Sequence, residues 1–147
     1  MNKKKIFISA PISGFNDENK YKKTREQVLK LIQELRKKHY VYYELENISN
    51  LDSYDDAQSA VINDFRQIYD SDIFIILHPQ RMQSSSLIEL GYAIAIEKKI
   101  IIISDQENLP FLALGLPIAM TNVKIISFSD FANENTNIFW ESLEQMI

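Results

Sequence analysis

An isolated glutamate is the feature of this chain that most clearly suggests chemistry. Glu89 is the only charged residue between Arg81 and Glu97, and the residues around it are apolar enough for a buried helix. An ionised carboxylate in such surroundings is costly unless hydrogen-bond donors surround it or a raised pKa neutralises it. Because a carboxylate held in this way can act as a nucleophile, Glu89 is a candidate catalytic residue.

Helix capping is the alternative explanation for this glutamate. Ser86 and Glu89 have the S-x-x-E spacing of a capping box, in which the serine caps the first turn and the glutamate reaches back to the main chain. The two interpretations are compatible, because the positive end of the helix dipole also keeps such a carboxylate ionised and oriented. The spacing alone leaves both open.

A second acid occupies an apolar position in the preceding helix. The apolar stripe of that helix runs through Ala57, Val61 and Ile68, and helical spacing places Asp64 in the same stripe, facing the sheet. The alternative is that Asp64 caps a main-chain group or pairs with Arg66 or a lysine at the sheet edge. Two inward carboxylates on adjacent helices favour a catalytic pair.

The elements that must position these acids follow from hydrophobic periodicity. Short β-branched runs alternate with amphipathic helical patterns, which is typical of a parallel sheet with helices on both faces. We predict an α/β, flavodoxin-like fold with an open five-stranded parallel sheet in the order 2-1-3-4-5. The apolar stretch 109–120 contains two prolines and a glycine, which predict a loop with at most a short helix. The predicted strands are 6–9, 40–43, 73–77, 100–103 and 123–126, and the predicted helices are about 21–38, 55–69, 86–97 and 137–146.

Residues that directly follow the strands can reach the crevice where such sheets bind ligands, beyond the carboxyl ends of the strands. Glu89 lies one turn into the helix after the third strand, close enough to project toward the same opening. The other candidates are Ser9, Ala10 and Pro11 after the first strand, Glu44 and Glu46 after the second, and His78, Arg81, Gln83, Ser84, Ser85 and Ser86 after the third.

Three short motifs carry a family resemblance: Asn63-Asp64, Ser71-Asp72-Ile73 and Glu89-Leu90-Gly91-Tyr92-Ala93. They resemble motifs of the nucleoside 2-deoxyribosyltransferases, and the match extends from the first strand to about residue 103. The resemblance implies that Glu89 attacks the anomeric carbon of the sugar and that Asp64 assists at the nucleobase. It also implies that the first strand and its small-residue turn, with Phe7, Ser9, Ala10 and Pro11, let a sugar approach the backbone.

Two positions depart from the family pattern. Phe7 stands where the family commonly has a tyrosine whose hydroxyl touches the nucleophile, and Gln83 stands where the transferases have an aspartate that helps to hold the sugar and base. The serines at 84–86 replace a glycine-containing turn and resemble the loop of the related nucleoside 5′-monophosphate N-glycosidases. Since a helix N-terminus binds anions, these serines together with Arg81 predict a phosphorylated ligand, with plain capping as the alternative.

The TIR domains that cleave NAD are similar over the same stretch. Their first strand resembles Phe7-Ile8-Ser9, and their catalytic glutamate corresponds again to Glu89. Both resemblances predict scission of an N-glycosidic bond in a nucleoside, a nucleotide or NAD, with NAD as a substrate and no cofactor. The longer match favours the deoxyribosyltransferase branch. A non-catalytic nucleotide-binding domain, in which Glu89 only caps its helix, is the alternative from another class.

Length and composition limit what else the chain can be. Its 147 residues predict one domain, and a net charge of −4 argues against nucleic acid as a partner. The sequence predicts no membrane span, and the absence of cysteine fits a cytoplasmic protein. With two separate histidines and no cysteine, no metal site is expected. The apolar stretch 109–117 predicts either closure over the site or burial against another subunit of a homo-oligomer.

Overall fold

A computed structural model describes residues 2–12, 14–47, 56–133 and 136–147. Within these residues, five strands form one sheet in the order β2-β1-β3-β4-β5, and every strand pairing is parallel. The predicted flavodoxin-like topology is therefore confirmed. The strands are β1 (Lys5–Ser9), β2 (Tyr40–Tyr42), β3 (Ile73–Leu77), β4 (Lys99–Ile103) and β5 (Val123–Ile126), and the helices are α1 (Glu18–Arg36), α2 (Ala57–Asp70), α3 (Ser86–Ala95), α4 (Phe111–Ala119), α5 (Phe128–Ala132) and α6 (Thr136–Met146).

The central strand β3 fixes the register of the sheet. Ile75 pairs with Ile8 of β1 on one side and with Ile101 of β4 on the other. All five residues of β3 are buried. This is the pattern expected of a parallel strand whose two faces are both covered by helices.

Two hydrophobic cores lie on opposite faces of the sheet, and they decide which side chains can meet. Since successive strand residues point to opposite faces, Ile6 and Ile8 pack with α1 and α6, whereas Phe7 packs in the other core with residues of α2, α3 and α4. By the same alternation Ser9 points to the face that carries α2 and α3. The two candidate acids and the end of β1 are thereby placed on one side of the sheet.

The prediction for residues 109–120 is wrong in one respect. A nine-residue helix, α4, occupies Phe111–Ala119 where a loop with at most a short helix was expected. Pro110 immediately precedes its first residue, where the N–H group that proline lacks would have no helical acceptor, and Pro117 lies near the other end. The short helix α5 was not expected at all. Among the described residues, no helix is both long enough and apolar enough to cross a membrane.

Candidate active site

A cavity of about 290 Å³ opens beyond the carboxyl end of β1, where the sheet meets α2 and α3. Its volume lies near the lower end of the range typical of small-molecule sites, about 300–1,000 Å³. Four segments of the chain contribute to its wall. The lining residues are Phe7, Ile8, Ser9, Ala10 and Ile12 from β1 and the turn after it, Tyr43, Glu44 and Leu45 after β2, Ala57, Ala60 and Asp64 of α2, and Ser85, Ser86 and Glu89 at the start of α3.

Glu89 reaches across this cavity to the first strand. The hydroxyl of Ser9 donates a hydrogen bond of 2.9 Å to Oε1 of Glu89. The predicted capping box does not form, because α3 is preceded by Ser85 as its N-cap residue and that serine makes no side-chain capping bond. The carboxyl group of Glu89 is therefore directed toward the cavity and not toward the main chain of its own helix.

The surroundings of Glu89 raise its pKa to about 7. Burial is the largest cause, the hydrogen bond from Ser9 partly offsets it, and the nearby charge of Glu44 adds to the increase. Near neutral pH a substantial fraction of this carboxyl group is ionised. Its environment thus holds it close to the point where it can either carry a proton or act as a nucleophile.

Asp64 lies on the wall of the same cavity, one helix away. Its Oδ1 atom is buried and receives no hydrogen bond from any described N–H or O–H group. No ion pair with Arg66 or a lysine is present among the described residues, so the alternative role at the sheet edge is not observed. The neighbouring Asn63 donates a 2.6 Å hydrogen bond to the hydroxyl of Tyr42 and thereby joins α2 to β2.

The pKa of the Asp64 carboxyl group is raised to about 9. Burial is the largest cause, followed by a hydrogen bond with the carboxyl group of Glu44 and by the negative charges of Glu89 and Glu44. At neutral pH Asp64 therefore carries a proton. The cavity combines one carboxyl group that can be ionised, Glu89, with one that is neutral.

Glu44 was one of two acids named as candidates after β2, and neither was assigned a role. Only the position of β2 next to β1 in the sheet could have singled out this segment. Its neighbour Glu46 turns away and accepts a 2.7 Å hydrogen bond from Arg36. Glu44 instead lines the cavity beside Asp64.

Phe7 forms part of the cavity wall and is almost completely buried. Its ring stacks on Tyr42 at 5.6 Å and on Phe74 at 5.7 Å between centroids. Phe7 has no hydroxyl to offer Glu89, and the hydrogen bond to that carboxyl group comes from Ser9. Ala10 also lines the cavity, whereas Pro11, which follows it, does not.

The three predicted serines have different positions. Ser85 and Ser86 line the cavity, and neither hydroxyl makes a hydrogen bond among the described residues. Ser84 lies outside the lining, and its buried Oγ has no partner in the described part of the chain. Gln83 is also outside the lining, but its carbonyl group packs against Gly14, which ties the loop after β1 to the loop after β3.

The structure places the remaining two predicted site residues away from the cavity. Arg81 is exposed and donates a 3.1 Å hydrogen bond to the carbonyl group of Glu107. His78 was expected to reach the crevice, but it is 1% exposed and does not line the cavity, and its Nε2 atom lies 3.2 Å from the Asn108 carbonyl oxygen. Both residues follow β3 on the side of β4, whereas the cavity opens on the side of β1.

The helix α4 does not close over the cavity, since none of its residues lines it. Phe111, Leu112 and Ile118 are 87, 82 and 89% exposed. Burial against another subunit therefore stays a prediction for this helix. Within the ranges that the structure describes, no group of three or more potential ligand side chains could hold a metal ion.

The sequence and the fold of this chain were compared with those of known proteins. No curated protein matches the sequence significantly. The fold is similar to that of the CMP N-glycosidase BcmB of Clostridium botulinum, with a TM-score of 0.69 and 20% identity over 92% of this chain and 98% of that one. It is also similar to a conserved protein from Enterococcus faecalis V583, with a TM-score of 0.51 and 18% identity over 85% of this chain and 82% of that one. These identities show a shared fold alone. The model of the nucleoside 2-deoxyribosyltransferase family matches residues 6–139, and the chain therefore belongs to that family.

Proposed function

We propose that the protein cleaves the N-glycosidic bond of a nucleoside that carries a 5′-phosphate, with Glu89 as the nucleophile and Asp64 as the acid that assists departure of the base. Cleavage or transfer at N-glycosidic bonds is the general chemistry of the family to which the chain belongs. The observation that carries the proposal is the pair of unlike carboxyl groups in one cavity. Glu89 is ionisable near neutral pH, and Asp64 holds a proton.

The proposed reaction proceeds in two steps. A carboxylate oxygen of Glu89 forms a bond with C1′ of the sugar, while the bond from C1′ to the base breaks and its electron pair leaves with the base. The base takes the proton of Asp64. Water, or a second base in a transfer reaction, then attacks C1′, gives its proton to Asp64 and releases Glu89. The net configuration at C1′ is retained, and the step uses side chains of this chain without a cofactor.

The start of α3 supports a phosphorylated substrate. Ser85 and Ser86 line the cavity and their hydroxyls have no described hydrogen-bond partners, at a helix N-terminus whose main-chain amides favour an anion. The similar fold of a CMP N-glycosidase is consistent with a nucleoside monophosphate. A cavity of about 290 Å³ suits a mononucleotide better than a dinucleotide, so we place NAD second.

Replacing Glu89 with Gln tests the proposal, because the amide keeps the size of the side chain and can still accept the hydrogen bond from Ser9. We expect release of free base from nucleoside monophosphates to fall by about three orders of magnitude or more. Chromatography of free nucleobase and nicotinamide, with nucleosides, their 5′-monophosphates and NAD as substrates, measures both the activity and its preference. Glu97→Gln, at an exposed acid just after α3, is the matched control and should retain the wild-type rate.

The outcomes separate the three alternatives. Base release by Glu89→Gln at the wild-type rate would contradict the assignment of the nucleophile. Nicotinamide release from NAD, with nucleoside monophosphates left intact, would replace the proposed substrate by NAD. Saturable binding of nucleotides by wild-type protein without any free base would identify a non-catalytic nucleotide-binding domain.

A further inference from the structure

We propose that Glu44 is a positioning residue that keeps the Asp64 carboxyl group protonated, so that Asp64 can deliver its proton to the departing base. The proposal rests on the function proposed above. Glu44 lies outside the two family motifs that contain Glu89 and Asp64, and the proposal gives this acid a role in the site.

The shared position of the two side chains is the first support. Glu44 and Asp64 line the same cavity. Ionised carboxylates have only acceptor atoms, so two carboxyl groups can form a hydrogen bond only when one of them carries a proton. The Oδ1 atom of Asp64 is buried, and no described N–H or O–H group donates to it. A proton shared with Glu44 would supply the donor that this buried oxygen lacks.

The charges around Asp64 are the second support. The groups that face it are Glu44 from the segment after β2, Glu89 from α3 and the neutral side chain of Ser9 on β1. Tyr43 adds a phenol to the cavity wall, and no lysine, arginine or histidine is among the described lining residues. A negative charge on Asp64 would meet two further acids and no cation, which favours the protonated form.

The segment that carries Glu44 is held firmly enough to position it. Residues Glu44–Asn47 form one 3₁₀ turn. Arg25 donates a 2.8 Å hydrogen bond to the main-chain oxygen of Glu46, and Arg36 binds the Glu46 side chain from a second direction. With Glu46 anchored to α1 in this way, Glu44 is left to face α2. Glu46 thus contacts α1, and Glu44 lines the cavity.

The pair also accounts for the return of the proton. When Asp64 has given its proton to the base, two ionised carboxylates stand side by side, and their mutual repulsion makes Asp64 a stronger base. Asp64 then removes a proton from the incoming water or second base as C1′ is attacked. The proton that leaves with the base is thereby replaced from the acceptor, and the site returns to its starting state.

Glu44→Gln is the direct test, and Glu46→Gln in the same turn is the matched control, because its amide oxygen can still accept from Arg36 and Arg25 still binds the main-chain oxygen of residue 46. The glutamine amide removes the charge and can donate to an ionised Asp64, so both changes favour loss of the Asp64 proton. We expect the falling limb of the kcat/KM profile against pH to move at least about one pH unit lower in Glu44→Gln. The limb should stay in place in Glu46→Gln and move less in Glu44→Asp, which restores a carboxylate.

A second measurement does not depend on catalysis. The ¹³C signal of the Asp64 carboxyl carbon, assigned by its disappearance in Asp64→Asn, reports the titration of that group in the folded protein. Its midpoint should fall in Glu44→Gln and stay at the wild-type value in Glu46→Gln. An unchanged midpoint in Glu44→Gln overturns the proposal. If the wild-type protein releases no base while the midpoint falls as expected, the proposed function fails and the coupling of the two carboxyl groups stands.

Discussion

The hydrogen bond between Ser9 and Glu89 compensates for the absence of a tyrosine hydroxyl at Phe7. Phe7 stands where the family pattern commonly has a tyrosine whose hydroxyl touches the nucleophile. Side chains two residues apart on a strand point to the same face, so Ser9 lies next to Phe7 on the side of α3 and supplies a hydroxyl of its own. The missing tyrosine is therefore weak support for a non-catalytic domain.

The two raised pKa values predict the pH dependence of catalysis. Ionisation of Glu89, with a pKa of about 7, should produce the rising limb of kcat/KM, and deprotonation of Asp64, with a pKa of about 9, the falling limb. Ser9→Ala removes a hydrogen bond that lowers the pKa of Glu89. We therefore expect the rising limb of this variant to move to higher pH, as measured by initial rates of base release between pH 5 and 10.

Ser104→Ala is the control for this experiment. Ser104 is a buried serine directly after β4, and its hydroxyl donates to the main chain of Asp105, outside the cavity. Its loss should leave the rising limb unchanged. A rising limb that stays in place, or moves to lower pH, in Ser9→Ala would show that the serine does not stabilise ionised Glu89.

The sequence predicts the two acids of the site better than their polar neighbours, for a physical reason. Glu89 and Asp64 are charged residues at positions where the helical pattern is otherwise apolar, and this makes them recognisable in the sequence. Glu44 belongs to a polar segment in which Glu46 is equally plausible, and only the direction of a short 3₁₀ turn decides between them. His78 and Arg81 also follow a strand, but on the side of β4, and no sequence pattern gives that direction.

At the scale of elements, α2 and α3 act as one support for the site. Phe65 and Tyr92 stack face to face with centroids 4.1 Å apart and planes 8° from parallel. Phe65 is the residue after Asp64, and Tyr92 lies three residues after Glu89 on the next turn of α3. This contact between rings fixes the relative position of the two helices, and the carboxyl groups that they carry are positioned with it.

The loops that border the cavity depend on a single glycine. Gly14 has φ of +98°, a conformation that L side chains rarely adopt, and a β-carbon at this position would clash with the carbonyl oxygen of Gln83. We expect Gly14→Ala to destabilise the protein by about 1–3 kcal/mol. The loop at 83–86 must shift to relieve the clash, so KM for a phosphorylated substrate should rise more than kcat falls.

Gly91→Ala is the matched substitution. Gly91 lies in the interior of α3, and an added β-carbon there would have no neighbour within 4 Å. Alanine should stabilise that helix by about 0.5–1 kcal/mol. Thermal unfolding and steady-state kinetics of both variants provide the comparison. A Gly14→Ala protein as stable as the wild type, with an unchanged KM, would show that the two loops are not joined at this point.

The helices and strands are predicted well where hydrophobic periodicity is strong, and less well where prolines suggest a loop in place of a helix. The boundaries of β3 and β5 agree with the prediction, because buried β-branched runs between turns have one interpretation in a parallel sheet. Pro110 lies just before α4, where a helix tolerates proline, and Pro117 lies inside the helix but near its end, where the helix loses only the hydrogen bond that its missing N–H would make. Composition alone does not reveal these positions. The short helix α5 depends on a contact with a distant loop. Asp105 of that loop accepts hydrogen bonds from the Ser127 hydroxyl and the Ser129 main-chain N–H, at the start of α5.

For the molecule as a whole, the proposed site carries a cost in stability that depends on pH. A carboxyl group whose pKa is higher in the folded state keeps its proton while the unfolded chain has lost it, so stability falls as pH rises from the ordinary pKa to the raised one. For Asp64 this interval runs from 3.8 to about 9, and for Glu89 from 4.5 to about 7. His78 acts in the opposite direction below pH 6.5, because its pKa is lowered by burial and the unfolded chain binds the proton more readily.

Asp64→Asn isolates this contribution, because the amide has no proton to lose. Each carboxyl group costs up to about 1.4 kcal/mol per pH unit within its interval. The unfolding free energy of Asp64→Asn minus that of the wild type should therefore increase by on the order of 1 kcal/mol per pH unit between pH 5 and 9. Denaturant unfolding at a series of pH values measures this difference.

Asp70→Asn removes an exposed carboxyl group from the same helix and serves as the control. Its stability curve should run parallel to that of the wild type above pH 5. If the curve of Asp64→Asn runs parallel as well, the carboxyl group of Asp64 is already ionised in the folded protein at neutral pH. It would then have no proton for a departing base, and the division of tasks between the two acids would have to be abandoned.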